Sequence, residues 1–505
     1  MTIPERYNWV AVGARARLRR PPPYRCFTAL TAAVAVYYLF LLSNGTFQLF
    51  APEMLDRAYN SMLLHLLHGE FNVDREAIGF EAMSRDGKTY AYFGVFPALL
   101  RLFAMPFTDI AHAQLARLSC LTALVLFAAL QLRALLTVHN SLPRANRRPE
   151  LLAVTAAATL LSGPQIYILG SASIYHESIL WAAAMAAGFN LIVVRAAISE
   201  CPLRGRDVVM LAFLAGLAIN TRPSIGLDLY IGTSLIIAWA VWGRYAPDRG
   251  ERTGFAGSTL TLEPIWLPVA ILGLLAAAAG AVNFERWGNP FTFADFRYYG
   301  EVQQRASRAS VFLNYGEFNL GRIWIGALYY TTGLPWLLKT LPPFAEFLRA
   351  RVVAIEAPPF TPLLTNPITV LLAMIGVYRA FWKPDLPAAS LATLRFILVG
   401  HLVPVIVVFG FFYFTLRYRF DFAPFMTLTS LIGYRSVSIA TFEAQGRWVK
   451  RRLIAGIGLL AVGIVFSHYV LLMHKAWSMA VPMEVRLALI PFLPSAYLPL
   501  PSPLP

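Results

Sequence analysis

Uninterrupted apolar stretches, each approaching 20 residues, recur from residue 27 to residue 474 of this 505-residue chain. No other feature narrows its choice of fold so far. A helix rises about 1.5 Å per residue, so roughly 20 apolar residues cross a hydrocarbon core of about 30 Å. Inside lipid every backbone N–H and C=O must find its partner within the chain, which a helix provides and an open strand does not. Composition agrees, with 57% hydrophobic and only 14% charged residues, where a soluble domain carries about 25% charged. The sequence predicts an all-α polytopic membrane protein, and no segment reads as a separate soluble domain.

About eleven transmembrane helices are expected, near 27–44, 112–137, 150–169, 174–196, 208–222, 226–243, 265–283, 363–382, 391–414, 420–440 and 453–474. Basic residues in short connections mark the cytoplasmic side. Arg144, Arg147, Arg148, Arg204, Arg206, Arg244, Arg249, Arg252, Arg447, Lys450, Arg451 and Arg452 all fall on alternate connections. The opposite short loops, near 170–173 and 223–225, are nearly uncharged apart from Arg222. This orients the chain with its N-terminus in and its C-terminus out. Residues 1–26 form a basic cytoplasmic N-terminus, 27–474 the membrane domain and 475–505 a Pro-rich outer tail. Arg15, Arg17, Arg19, Arg20 and Arg25 precede the first stretch as in a signal peptide, but no small-residue cleavage site follows, so an uncleaved first span is expected.

Two further apolar stretches, 90–107 and 321–345, are not counted as spans. Counting either alone would turn a basic connection outward, and each holds proline and a charge, Pro97 with Arg101 and Pro335 with Lys339. They are expected as interfacial or re-entrant helices within two long outer loops, 45–111 and 284–362, and to roof one cavity. The net charge of +16 is dispersed between spans, which argues against a nucleic-acid partner. Cys26, Cys120 and Cys201 have no redox or metal spacing. Phosphate loops, a nucleophile elbow, a zinc-protease motif and an inverted repeat are all absent from the sequence.

Chemistry is therefore sought at the outer helix ends. Leu55, Ala58, Met62, Leu66 and Leu67 have helical spacing, predicting an amphipathic helix from near Pro52 to Gly69 with Asp56 in its first turn. A carboxylate so held can take a proton from a hydroxyl, or simply complement the positive helix N-terminus. Glu53 stands beside it, and an acidic cluster follows at Asp74, Glu76, Glu81 and Asp86. Arg85-Asp86-Gly87-Lys88 predicts a tight turn, with Lys88 either meeting a phosphate or solvated. Tyr175, His176 and Glu177 open the fourth span. A charge there is costly unless it faces a cavity or a partner, so Glu177 is a second candidate carboxylate and His176 a candidate hydrogen-bond donor. Arg222, and Arg417 and Arg419 flanking Tyr418, emerge where a lipid-borne phosphate would lie. Guanidinium forks suit phosphate oxygens, although Arg419 pairing with Asp421 is an equal alternative. Arg286, among Phe284, Trp287 and Phe291, belongs to an interfacial belt and joins the candidate cations.

Together these pieces resemble the GT-C-type membrane glycosyltransferases, in particular bacterial members related to protein mannosyltransferases. The likeness rests on Glu53-Met54-Leu55-Asp56 after the first span, on Asp86-Gly87-Lys88-Thr89-Tyr90 leading to Phe93-Gly94-Val95-Phe96-Pro97, and on Arg417-Tyr418 before a span containing Pro424. It also rests on Asn283-Phe284-Glu285-Arg286-Trp287-Gly288-Asn289-Pro290, similar to that group's Asn-x-x-Arg-Phe-Gly-x-Pro with Trp for Phe. The resemblance implies a multi-pass enzyme of the bacterial inner membrane with a periplasmic active site. It implies a polyprenyl-phosphate-linked sugar donor, a lipid, glycan or protein acceptor, and a catalytic base that falls on Asp56. The Asp-Glu pair usual directly after the first span in that group is missing here. No cofactor is obligatory for such chemistry, and a divalent metal is left open. Two other classes stay open beside it: a transporter or flippase of a lipid-linked saccharide, and a non-catalytic membrane assembly protein.

Overall fold

The computed structural model describes residues 24–198, 203–245, 265–300, 306–339, 341–356, 360–384, 386, 388–443, 447–477, 483–489 and 491. Most of the basic N-terminus, most of the Pro-rich tail, and Cys201, Arg249 and Arg252 lie outside the described residues.

Every expected span coincides with a helix. The chain runs through α1 (Tyr24–Leu42), α2 (Ala58–Leu67), α3 (Ala116–Ser141), α4 (Pro149–Leu161), α5 (Ile174–Ile198), α6 (Gly205–Ile219) and α7 (Pro223–Tyr245). It continues with α8 (Trp266–Trp287), α9 (Ile323–Thr332), α10 (Pro367–Phe381), α11 (Ala388–Gly410), α12 (Ala423–Glu443) and α13 (Arg447–Trp477). Among the described residues, seven stretches are long and apolar enough to cross a membrane, and α1 and α10 supply two shorter apolar helices. The helices α6, of 15 residues, and α12, which carries Thr427, Thr429, Ser430 and Ser436, complete the expected set without meeting that measure. Proline opens α4, α7 and α10, where its missing N–H costs nothing.

The central helix is α5, packed by α3, α6, α7, α11 and α12. By contrast, α8 is buried over only 11% of its apolar window and leans chiefly on α6. The closest crossing joins α10 to α12. A Cβ on Gly376 would stand 1.8 Å from the Thr429 carbonyl oxygen, and one on Gly433 would stand 1.9 Å from that of Leu372. Only glycine on both helices lets the backbones approach so near.

Polar groups were expected at one end of the bundle, and one cluster departs from that. His401 of α11 lies within the bundle with Nδ1 2.6 Å from Asp228 Oδ1 of α7 and Nε2 2.8 Å from Asn190 Oδ1 of α5. The Asn190 amide in turn donates to the Pro424 carbonyl at 2.9 Å.

Neither uncounted stretch forms one continuous helix. Residues 90–107 break into a four-residue helix, Phe96–Leu99, and a 3-10 turn, Leu100–Phe103. Residues 321–345 break at Gly333 into α9, of 10 residues, and Leu334–Leu338. Ten helical residues reach about 15 Å, half a hydrocarbon core. The long segments also hold short strands, which the all-helical reading did not anticipate. Strands β1 (Met83–Arg85) and β2 (Lys88–Tyr90) pair antiparallel, with Asp86 at φ 51° and Gly87 at φ 75° in the turn. Two successive left-handed residues match the twist of a two-residue hairpin. Strands β3 (Ala354–Ile355) and β4 (Tyr413–Phe414) pair in parallel. Met83 also bridges to Tyr299, so both long segments meet at one end of the bundle.

Candidate functional site

That meeting place is built around a 3-10 stretch, Leu416–Phe422, between α11 and α12. With three residues per turn, side chains two apart point about 120° away from each other. Arg417 and Arg419 face different sides: Arg417 lines the cavity, and Arg419, the alternative phosphate-binding candidate, donates to backbone carbonyls outside it. Arg417 rests on aromatic rings, its guanidinium carbon 4.4 Å from the centre of Tyr175 and 5.6 Å from that of Tyr418. The Arg222 guanidinium carbon also lies over Tyr418, 5.0 Å from the ring centre. It is placed there by the α6–α7 turn, against which the first outer segment docks. Phe96 N–H donates to the Asn220 carbonyl at 2.9 Å, and a Cβ on Gly94 would come within 2.3 Å of that oxygen.

Arg222 gives Nε and Nη2 to Asp421, both at 2.6 Å, and Ser224 Oγ donates to Asp421 at 2.9 Å. Its Nη1 is left uncommitted by these bonds. Arg417 reaches Glu356 through Nη1 at 3.4 Å, while its buried Nε has no protein partner. With Tyr92, Phe93, Tyr175, Tyr418 and Phe293, the two arginines line a cavity of about 40 Å³. Pro223 and Phe293 also belong to the wall of a larger open groove of about 920 Å³. This groove follows the poorly covered face of α8, lined by Ile219, Leu227, Ala276, Ala277 and Val282, and ends at Asn283, Glu285 and Arg286. A polar cation site thus adjoins an apolar trough.

The carboxylates divide sharply. Of the buried ones, Glu177, Asp207, Asp228, Asp295 and Asp421 each pair with a cationic or imidazole side chain, whereas Asp56 and Glu81 form no such pair among the described residues. Glu177 receives both terminal nitrogens of Arg101, at 2.6 and 2.8 Å, and Ser119 Oγ at 2.5 Å. It is a structural ion pair, and the reading of Glu177 as a second working carboxylate is corrected accordingly. Glu53 is likewise held by Arg117 Nε at 2.6 Å. Asp56 accepts the Glu53 N–H at 2.9 Å, and burial pushes its carboxyl above the ordinary aspartate range against that hydrogen bond. Asp56 lies one turn before the helix rather than within it, because the chain turns at Leu55, at φ 60°, and α2 begins only at Ala58.

None of Asp56, Glu53 and Glu177 is among the residues that line the cavity, and the remaining candidates also fall outside it. Asp86 and Lys88 are exposed at the hairpin, Asp86 lying 3.1 Å from Arg85 Nε. His176 is buried against Ser173 Oγ at 2.7 Å and faces His474, with ring centres 5.9 Å apart. Arg286 is buried and donates to the Phe93 carbonyl at 2.8 Å. Arg419 donates to the carbonyls of Phe360 and Tyr330, at 2.6 and 2.7 Å, and does not pair with Asp421. Each of these last two staples loops through carbonyls. Of the two uncounted apolar stretches, the first supplies Tyr92 and Phe93 to the cavity; 321–345 supplies none of its walls. Sequence reasoning missed Tyr92, Phe93 and Glu356, and noted Glu81 only within an acidic cluster. Nothing local distinguishes Glu81 from Glu76; its burial is decided by tyrosines from distant segments.

Among the described residues no three His, Cys, Asp or Glu side chains gather in a metal-binding arrangement. No family model matches the sequence, and no curated protein matches it. Among solved structures the chain is similar to the oligosaccharyltransferase of Archaeoglobus fulgidus in its apo form, at 14% identity and a TM-score of 0.49, covering 91% of this chain and 57% of that one. The same archaeal enzyme, AglB, in complex with an inhibitory peptide and a dolichol-phosphate, gives 14% identity and a TM-score of 0.45, over 91% of this chain and 56% of that one. ArnT from Cupriavidus metallidurans bound to undecaprenyl phosphate gives 12% identity and a TM-score of 0.41, over 92% of this chain and 70% of that one. The chain spans little more than half the length of the archaeal enzyme.

Proposed function

We propose that this chain is a membrane glycosyltransferase that moves a hexosyl or pentosyl group from a polyprenyl-phosphate donor to an acceptor hydroxyl, with inversion, on the periplasmic side of the bacterial inner membrane. One observation carries the reading: the Arg222–Arg417 cavity shares walls with an apolar groove along α8. A phosphate on a long isoprenoid chain has both halves of that chemistry. The groove takes the chain and removes apolar surface from water, worth about 25 cal/mol per Å². The uncommitted nitrogens of Arg222 and Arg417 take the phosphate and stabilise the charge that grows on it as the sugar departs. The membrane domain, 27–474, acts as one unit in this scheme, with residues 45–111 and 284–362 forming its outer side.

Inversion needs one base opposite the leaving group. Asp56 is assigned that role, since it is buried, forms no ion pair among the described residues and follows the first span. It would take the acceptor's proton as the acceptor oxygen bonds to the anomeric carbon and the phosphate oxygen leaves. In the purified protein, with a polyisoprenyl-phosphate sugar as donor, Asp56→Asn is expected to abolish transfer while donor binding persists. Arg417→Ala is expected to weaken donor binding. Full transfer by Asp56→Asn would remove that residue from the mechanism.

A second reading, transport of a lipid-linked saccharide, is favoured by the His401–Asp228–Asn190 cluster in the middle of the bundle, since ionisable groups there are rare without a task. Reconstituted vesicles separate the two: a transporter moves the labelled lipid between leaflets without cleaving its sugar.

A further inference from the structure

We infer that Glu81 is a positioning residue of the arginine cavity: it fixes the Tyr175 ring on which the Arg417 guanidinium rests, and so decides where that cation stands. The inference deepens the proposed function and rests on it for the identity of the anion.

Glu81 closes the 3-10 turn Gly79–Glu81, just before β1, and is 7% exposed. Its Oε1 accepts two tyrosine hydroxyls. Tyr175 donates from the start of α5, and Tyr299 donates from the second outer segment at 3.0 Å. One carboxylate oxygen therefore joins the first outer segment, the second and the central helix. The Met83–Tyr299 bridge stands two residues away and holds the same junction through the backbone.

Tyr175 is held at both ends of its function. Its hydroxyl ends on Glu81, its edge meets Phe93 at a ring separation of 5.6 Å, and its face carries Arg417 at 4.4 Å. Among the described residues Arg417 has one long polar contact, to Glu356 at 3.4 Å, and its Nε is unpartnered, so the aromatic faces are its main support. A cation on a ring gains about 0.5–2 kcal/mol, more when desolvated, and only while the ring stays under it. Glu81 does not itself line the cavity, whereas Tyr92 and Tyr175 do. Glu81 acts on the anion through Tyr175 rather than by touching it. A buried carboxylate with no ion pair among the described residues is a costly way to anchor a loop, and a geometric task beside Arg417 explains why it is here.

The test uses the full chain in detergent, a polyisoprenyl monophosphate as probe, and the variants Glu81→Gln, Glu81→Ala and Tyr175→Phe. A second measurement, phenylglyoxal labelling of Arg417 read by peptide mass spectrometry, needs no ligand. The amide oxygen of Glu81→Gln still accepts both hydroxyls, so binding should stay within about threefold of the parent. Glu81→Ala and Tyr175→Phe should each weaken binding roughly tenfold, because the ring that carries Arg417 is then no longer anchored under it. Labelling of Arg417 should rise in both, while that of Arg101, sealed against Glu177, should not. Unchanged binding and labelling in Glu81→Ala overturn the inference. Equal loss in Glu81→Gln and Glu81→Ala also overturns it, because charge and not position would then be at work. If Glu81→Ala does not fold, Tyr175→Phe decides by the same two readouts. If the parent protein binds no polyisoprenyl phosphate, the donor reading fails by itself, and labelling still decides the role of Glu81.

Discussion

Arg417 and Arg419 stand two apart in sequence with the same chemistry, yet they do different things. The sequence shows two forks beside Tyr418. The 3-10 backbone turns one to the cavity and the other to the carbonyls of Tyr330 and Phe360. Glu177 and Asp56 divide in the same way, since Arg101, 76 residues from Glu177 along the chain, neutralises one and leaves the other. An ionisable residue type was legible; its partner was not, because the partner arrives through tertiary contact. Asp56 gives the clearest test at this scale. Burial raises its folded pKa, so the folded state favours the protonated form. Its contribution to stability is therefore complete below the unfolded aspartate pKa and is lost as pH rises through the folded value. Activity runs the other way, since a base must be ionised. The acid limb of kcat/KM is expected above the ordinary aspartate range, over the window where thermal stability in detergent declines. Asp56→Asn should flatten the stability slope, and a profile with its acid limb at the ordinary aspartate value would contradict the assignment.

Elements were read far better than partners. Apolar length alone located all eleven helical stretches, because a helix in lipid needs nothing from its neighbours to satisfy its backbone. The stretches 90–107 and 321–345, withheld from the spans on charge pattern and proline, each break into short helical pieces. The failures are at boundaries. The first outer helix begins at Ala58 and not near Pro52, because the chain spends Glu53 to Arg57 on a turn through a left-handed Leu55. How helices cross was illegible. Gly376 and Gly433 look like any glycines in apolar helices, yet each backbone lies against the other helix. Gly433→Ala should force α10 from α12 and destabilise the protein by about 1–3 kcal/mol, as overpacking does. Thermal unfolding in detergent measures it, with Gly458→Ala, whose Cβ would meet nothing within 4 Å, as the control.

Across the whole molecule the arrangement of interest is the trough beside α8 and the cation cavity at its end. If an isoprenoid chain fills that trough, a bulky group in its wall must compete with the chain. Gly280, on the groove wall with Pro290 3.4 Å from its would-be Cβ, is the place to put one. Gly280→Trp is expected to weaken binding of a long-chain polyisoprenyl phosphate by more than tenfold, the cost of about 1.4 kcal/mol or more. It should spare a short-chain analogue whose tail stops before the obstruction. Equal losses for both lengths would mean that the chain lies elsewhere. The sequence by itself determined that this is a many-helix membrane protein, and which ends gather its carboxylates and arginines. Those properties follow from local apolar length and from the cost of charge in lipid, which act residue by residue. Only the tertiary structure decided which arginines share a cavity, which carboxylates remain free of cations, and that Glu81 ties two segments more than 200 residues apart through Tyr299. Those depend on side-chain direction and on contacts between distant segments, and neither is written in any local stretch of the chain.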